Sequence, residues 1–342
     1  MTRLAFITGI TGQDGYYLSK LLIEKQYKIY GIVRRTSELW CTSRLKDIQN
    51  SLNLRYGDLT DKSSLSTFIN DIVGAHPDFT VLEIYNLGAQ SHVGISFSLP
   101  NYTTEVDAIG TLNLLEIIRH LKTNIRKKIK FYQAGTSELY GKVLETPQNE
   151  KTPFNPISPY AAAKQYAYQI TKIYREGYNI FAVNGILFNH ESPKRGPNFV
   201  TMKIINGINE IISNKKEYIE LGNLYSKRDW GHAEDYVRGM WLMLQRKTPK
   251  DYVLATGETH TIKSFVEKAF EFKGYKITWS KHGLDEIGKD QNNTTRIKVS
   301  SAFYRPCEVD LLLGDPYLAE NELGWTRKYD TLEKLIESMF TE

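Results

Sequence analysis

The first fifteen residues constrain this chain more than any other stretch. Leu4 to Thr8 is a short apolar run, and the turn after it reads T-G-I-T-G-Q-D-G, with Gly9, Gly12 and Gly15 spaced three apart. Behind it Tyr17, Leu18, Leu21 and Leu22 recur at helical spacing, which predicts a helix over Tyr16–Gln26. A strand, a turn of small residues and a helix, in that order, let a backbone approach a pyrophosphate at the positive end of the helix. The spacing is Gly-x-x-Gly-x-x-Gly, not the commoner Gly-x-Gly-x-x-Gly. The plain alternative is a glycine-rich turn and nothing more.

The same alternation continues. Strands are expected at Lys28–Val33, at Leu54–Asp58, at Val81–Leu87, at Lys130–Ala134 and at Ile180–Leu187. Helices are expected at Lys62–Ile72, Tyr102–Leu121 and Pro159–Glu176. Strands alternating with helices predict an α/β fold, a doubly wound, Rossmann-like parallel sheet. After Asn189 the character changes to a turn-rich segment with shorter elements: helices over Val200–Ser213, His232–Gln245 and Ile262–Phe272, a strand over Tyr275–Trp279, and terminal helices over Asp315–Leu323 and Thr331–Phe340. Lys281–Thr295 is polar and irregular and reads as a mobile surface loop. With 342 residues the chain exceeds one ordinary core. Residues 1–188 and about 229–259 are assigned to a dinucleotide-binding domain. Residues 189–228 and 260–342 are assigned to a second, smaller α/β lobe.

Two further features carry chemistry. The second strand ends in Val33-Arg34-Arg35-Thr36-Ser37, where an NAD site places a carboxylate for the ribose hydroxyls. None is present there, and two guanidiniums with two hydroxyls suit the 2′-phosphate of NADP; surface arginines are the alternative. Asp58-Leu59 follows the third strand and is placed to meet the adenine. Leu87 to His92 ends the fourth strand and is placed along the middle of the cofactor, although His92 reads equally well as a loop histidine. The second feature is Phe131 to Lys164, F-Y-Q-A-G-T-S-E-L-Y-G and then S-P-Y-A-A-A-K. Tyr160 and Lys164 are four apart, so on a helix they share a face. A nearby ammonium favours the phenolate, and such a pair can take a proton from a sugar hydroxyl. Alone, the spacing is a weak sign and more often marks an exposed helix pair.

Composition removes other classes. The net charge of +5, from 44 basic and 39 acidic residues, does not demand a nucleic-acid partner. No apolar run approaches the ~20 residues of a membrane span. The N-terminus enters an apolar strand directly, so no secretory leader is expected. Two cysteines, Cys41 and Cys307, suit a reducing, cytoplasmic compartment. No His/Cys/Asp cluster has metal-ligand spacing, and no metal is expected.

Read in order, eight pieces resemble the extended short-chain dehydrogenase/reductase superfamily and, within it, the GDP-mannose 4,6-dehydratase family. They are T-G-I-T-G-Q-D-G, V-R-R, Y-N-L-G-A-Q-S-H-V, T-S-E-L-Y-G, S-P-Y-A-x-A-K, N-G-I-L-F-N-H-E-S-P, L-G-N-L-x-S-x-R-D-W-G-H and R-P-x-E-V-D-x-L-L-G-D-P, and together they span nearly the whole chain. The resemblance implies that Tyr160 and Lys164 are the redox pair, that Thr136 hydrogen-bonds the sugar 4-oxygen, and that Glu138 is the acid/base that removes the carbon 5 proton. Ser137 stands where sister dehydratases of dTDP-glucose carry Asp, so Glu138 would also handle the leaving water.

The resemblance further implies NADP contacts at Gly9, Thr11, Gly12, Gln13, Asp14 and Gly15 in the first turn, at Arg34 and Arg35, and at Asp58 and Leu59. Leu87, Gly88, Ala89, Gln90 and Ser91, then Tyr102, Lys164, His190 and Arg195 complete that set. GDP-mannose would be held by Ser91, Thr136, Glu138, Tyr160, Asn189, Lys203, Arg228, Arg305 and Glu308, with Arg228 and Arg305 also readable as fold-stabilising ion pairs. The implied reaction gives GDP-4-keto-6-deoxymannose, a precursor of deoxysugars such as those of GDP-fucose or GDP-rhamnose. A homodimer or homotetramer is implied, with the Arg34-Arg35 loop near a neighbour's cofactor. One departure is Gly135, where the family usually has Ser. Two other readings stay open: an epimerase or ketoreductase, which needs no base at Glu138, and a non-enzymatic NADP-binding regulator.

Overall fold

Seven strands form one parallel sheet. Its order is β3 (Leu52–Tyr56), β2 (Lys28–Val33), β1 (Thr2–Thr8), β4 (Phe79–Asn86), β5 (Ile129–Ala134), β6 (Phe181–Leu187) and last the strand Tyr252–Leu254. This computed structural model describes residues 2–36, 43–304 and 307–341. The inner strands are covered on both faces, which is why they read as nearly unbroken apolar runs: Leu4, Ala5, Phe6 and Ile7 are all fully buried. On one face Ala5 and Ile7 pack with Leu18 and Leu22 of the helix Gln13–Glu24 and with Val237 and Met240 of the helix Ala233–Gln245. On the other, Leu4 and Phe6 pack with Leu65 and Ile69 of the helix Lys62–Ala75 and with Leu114 and Ile118 of the helix Gly110–His120. The strand order reverses between β1 and β4, and a crevice opens beyond the carboxyl ends there.

A second core lies against that crevice. The helices Val200–Ile212, Ile262–Phe272 and Leu332–Thr341 bury Ile208, Phe265 and Ile336 against Ile219 and Ile297 of a four-stranded sheet. That sheet runs Thr278–Ser280, Ile287–Lys289, Thr295–Val299, Ile219–Leu221. The strand Trp230–His232 pairs in parallel with Asn189–Glu191 and ties the lobes together. Ala319 and Trp325, near the C-terminal end, pack back into the large-sheet core. No helix among the described residues is long and apolar enough to cross a membrane.

Three expectations need correction. Lys281–Thr295 is no mobile loop: Ile287–Lys289 pairs with strands on both sides. Its polarity is spent internally, since the buried Asp290 accepts from Arg296 Nε at 2.8 Å and from the N–H groups of Asn292 and Thr294. The helix expected over Tyr102–Leu121 begins at Pro100 and is interrupted by a π-helical turn at Glu105–Ile109. The sequence holds no Pro or Gly inside that turn to announce it. The expected strand near Tyr275–Trp279 forms as Thr278–Ser280.

Candidate active site

The crevice is a cleft of about 600 Å³, walled by the ends of β1, β4, β5 and β6 on one side and by the second lobe on the other. At its floor the first turn meets the turn after β4 backbone to backbone. Gly9 has φ +68°, and a Cβ there would lie 2.7 Å from the Gly88 nitrogen. Gly12 caps the helix Gln13–Glu24 without any side-chain bond, whereas Asp61 and Ser158 cap theirs with an oxygen. A helix start left uncapped by side chains, with glycines that admit a close approach, fits the pyrophosphate of a dinucleotide.

Gln13 and Asp14, in the same turn, spend their side chains on the fold. Gln13 donates to the His190 carbonyl at 3.0 Å and accepts from Ser192 Oγ at 2.7 Å. Asp14 Oδ2 pairs with His190 Nε2 at 2.9 Å, and the imidazole stacks on Tyr236. Burial works to raise the Asp14 carboxyl, but His190 beside it brings it below the ordinary value. Burial likewise works to lower His190, and Asp14 more than offsets this.

The opposite corner holds the reactive groups. Thr136 follows β5 and caps a short 3-10 turn, its Oγ1 accepting from Glu138 N at 3.2 Å. That turn folds Glu138 back toward Thr136. Tyr160 and Lys164 lie in the first turns of the helix Pro159–Tyr178, whose start is fixed by Pro159 and by Ser158 Oγ accepting from Ala161 N. Thr136, Glu138, Tyr160 and Lys164 are each less than a tenth exposed. Lys164 Nζ donates to the Ala134 carbonyl at 3.2 Å and lies 5.9 Å from the centre of the Tyr160 ring. In the protein alone burial outweighs any help from that ammonium. It raises the Tyr160 phenol, as do Asp107 and Glu138, against Thr136 and Arg195, which favour ionisation. Gly135 leaves no slack: a Cβ there would lie 2.6 Å from the Gly185 carbonyl oxygen.

Asn189, Lys203, Arg228 and Glu308 line the other end, with Trp230, Phe303 and Tyr304. Lys203 Nζ sits 3.1 Å above the Phe303 ring, and burial, then Lys216, pull it down to about 8. Arg195 lies over Phe199 at 3.7 Å and 3.1 Å from Glu191, close as an ion pair though not aligned for a hydrogen bond. Ser91, Leu87 and Ala89 also reach the cleft.

Other expected contacts lie outside its lining. Thr11 is held by Arg44 through its carbonyl, and Gly88 and Leu59 pack together behind the floor. Arg34 donates to the Tyr102 hydroxyl, Arg35 lies over Tyr56, and Asp58 accepts from Thr60. Gln90 bonds Thr103. Arg305 lies outside the described residues. Sequence reasoning missed Phe199, Phe303, Tyr304 and, behind the site, Asp107. A carboxylate in the apolar run Val106-Asp107-Ala108-Ile109 was the available signal for the last.

Comparison with known proteins now decides the family. The description GDP-mannose 4,6 dehydratase matches residues 6–339. The chain belongs to the GDP-mannose 4,6-dehydratase family. Relatives named as GDP-mannose 4,6 dehydratases include one from Drosophila melanogaster, 51% identical over 98% of this chain and 85% of its own length. One from Homo sapiens is 49% identical (98% and 90%), and one from Vibrio cholerae 48% (98% and 92%). Among solved structures, Pal from Bacillus thuringiensis has a TM-score of 0.80 at 20% identity, over 98% and 97% of the two chains. A dTDP-glucose 4,6-dehydratase from Bacillus anthracis, solved with NAD, has 0.77 at 20%, over 99% and 96%. At that identity the likeness speaks to the fold, and the fold is the one the dehydratase family's residues build here.

Proposed function

We propose that the chain converts GDP-mannose to GDP-4-keto-6-deoxymannose and water, with NADP as its resident cofactor. The observation that carries this reading is Glu138 in the same buried corner as Tyr160 and Lys164, where its charge is felt by the phenol. When bound, the nicotinamide group would supply a reversible hydride acceptor, so that the reaction would have no net redox change. Tyr160 takes the proton of the sugar 4-hydroxyl, Lys164 supports the phenolate, and Thr136 holds the 4-oxygen. The 4-ketone makes the carbon 5 hydrogen acidic. Glu138 removes that proton and delivers one to the 6-hydroxyl as it leaves as water, and a proton then returns to carbon 5, balancing the one Tyr160 took from the 4-hydroxyl. Asn189, Lys203, Arg228, Arg305 and Glu308 would hold the GDP portion.

Arg34 and Arg35 follow β2, and the run Val33-Arg34-Arg35-Thr36-Ser37 holds no carboxylate, which supports NADP over NAD. Residues 1–188 and about 229–259 would carry the cofactor and 189–228 with 260–342 the GDP-sugar, apart from the segment around Ala319 and Trp325 that packs on the large sheet. A homodimer or homotetramer is supported by Ile95, Leu99, Tyr166 and Ile173, exposed on adjoining helices. A cytoplasmic setting fits the free, exposed Cys307 thiol.

The test is incubation of the purified protein with GDP-mannose and no added nicotinamide. Loss of one water from the sugar nucleotide over many turnovers is expected. A requirement for stoichiometric reductant would instead mark a ketoreductase, and change at carbon 4 without loss of water an epimerase.

A further inference from the structure

We infer that Asp229 is a positioning residue for nucleotide binding: its buried carboxylate clamps three segments together and so sets Arg228 and Glu308 in the wall of the cleft. The inference rests on the reading of that wall as the place of the GDP portion. Arg228 and Trp230 line the cleft, and Asp229 between them does not. Its side chain is fully buried. Oδ1 accepts from Thr256 N and from Thr256 Oγ1, both at 2.7 Å. Oδ2 accepts from Gly257 N at 3.0 Å and from Gly314 N at 3.2 Å. One carboxylate thus collects three backbone N–H groups and a hydroxyl, and a carboxylate buried this way needs its donors. Thr256 and Gly257 form the turn after the closing strand Tyr252–Leu254 of the large sheet, and Gly314 lies on the segment that follows Glu308.

The wall needs such a clamp because its elements are short. Arg228 sits on the two-residue strand Lys227–Arg228, and Glu308 stands in a stretch without a helix. Backbone bonds join the two: Lys227 N donates to the Asp310 carbonyl at 2.8 Å, and Leu312 N to the Lys227 carbonyl at 3.2 Å. Arg228 Nη1 donates to that same Lys227 carbonyl at 3.0 Å, so the junction also bears on the guanidinium. Arg228 pairs in turn with His260, shortly beyond the turn that Asp229 holds. Val309 and Leu312 pack with Phe188, Val253 and Ala255, which seats the segment against the end of the large sheet. The same segment reaches the reactive half. Gln148 N donates to the Leu313 carbonyl and Asp315 N to the Gln148 carbonyl, both at 2.8 Å, and Leu313 N donates to Gln148 Oε1 at 2.9 Å. Gln148 lies between the turn of Glu138 and the helix of Tyr160. Through Gly314 the clamp therefore keeps the nucleotide wall in register with the reactive groups.

Asp229→Asn keeps the shape but turns one oxygen into an amide that meets N–H groups as a second donor. KM for GDP-mannose should rise about tenfold, and the Kd for GDP, measured by titration calorimetry, should rise by the same factor. The kcat should stay within about twofold, because binding common to ground and transition states is what is lost. The amount of bound nicotinamide should not change. A variant with lower Tm and lower kcat, but with KM and GDP affinity in place, would mean a merely structural role and would overturn the inference. Thr256→Val, measured alongside, removes one donor and keeps the backbone N–H. It should raise KM about threefold at unchanged kcat. If the Asn variant does not fold, the Val variant decides, and an unaltered KM there overturns the inference. The unaltered protein is run in the same assays. Failure to bind GDP or to consume GDP-mannose removes the functional reading and this inference with it. Normal binding and turnover there, beside an Asn variant of equal GDP affinity, overturn this inference alone.

Discussion

The two halves of the cleft are built by different means. In the half that holds the reactive groups, Thr136, Glu138, Tyr160 and Lys164 sit at a strand end or in the first turns of a helix, and the Thr136 and Lys164 side chains bond backbone atoms. In the other half Lys203 comes from the helix Val200–Ile212, Arg228 from a two-residue strand, and Phe303, Tyr304 and Glu308 from a 3-10 turn and the segment after it. The first half is fixed by the sheet; the second is arranged by long side chains on short elements. On the proposed function, the scaffold carries the reaction type and the smaller lobe carries the choice of nucleotide, a division that folds of this kind permit.

The hardest test of that division is Tyr160→Phe. It keeps the ring and removes the proton acceptor, so kcat should fall by ~10²–10⁴-fold with nucleotide-sugar binding kept. A parallel loss of binding would mean that the two halves are not separate. Glu138→Gln is nearly isosteric and should stall the reaction after oxidation at carbon 4. Rapid quench should then find GDP-4-ketomannose on the enzyme and product formation down roughly 10²-fold. If deuterium placed at carbon 4 still reaches carbon 6 at the normal rate, Glu138 is not the eliminating base.

Replacing Arg34 and Arg35 together by Ala should cost about 1.5–3 kcal/mol per lost charge-assisted bond in NADP affinity and little in NAD affinity. Equal affinity of the unaltered protein for both cofactors, measured by titration, contradicts the assignment. Arg228→Ala should raise KM for GDP-mannose by about tenfold and leave kcat nearly unchanged. A fall in kcat at constant KM would move Arg228 into the reactive half.

The smallest effect concerns the tie between the first turn and the strand Asn189–Glu191. His190 is raised by Asp14, so the stability it contributes is full below about pH 6.5 and is lost as pH rises through its raised value. Asp14 is lowered, so its share is present above the ordinary carboxylate range and is lost on acidification. His190→Gln should cost about 1 kcal/mol near pH 6 and flatten the fall in Tm on the alkaline side. An unchanged pH dependence of Tm would show that the pair does not link the lobes.

Much of the large sheet was legible because strands buried on both faces must be largely apolar, and β1, β2, β5 and β6 leave that mark in sequence. The hairpin through Ile287–Lys289 was not, because Asp290 and Arg296 satisfy each other inside it and so disguise an ordered segment as a polar loop. The π-helical turn was equally silent, since packing against Pro159–Tyr178 and not local propensity accompanies it. At the site, spacing put Tyr160 and Lys164 on one helix face but could not tell an exposed pair from the buried one observed. Spacing could not tell that burial lifts the phenol, because that depends on groups from four separate segments meeting in space. That Gly135 is pressed against the Gly185 carbonyl could not be read from the sequence, since Gly185 lies on another strand.

The seventh strand of the large sheet has a consequence for how the protein is made. β6 ends at Leu187, yet its outer neighbour, Tyr252–Leu254, is encoded only after most of the smaller lobe's first helix and strands. A ribosome adds roughly 5–20 residues per second, so for several seconds the nascent chain carries β6 as an open edge. The unpaired N–H and C=O groups of such an edge are a template for another chain. Residues that only close the sheet therefore also protect the newborn protein, and a premature stop before Tyr252 yields a polypeptide destined for chaperones and proteases.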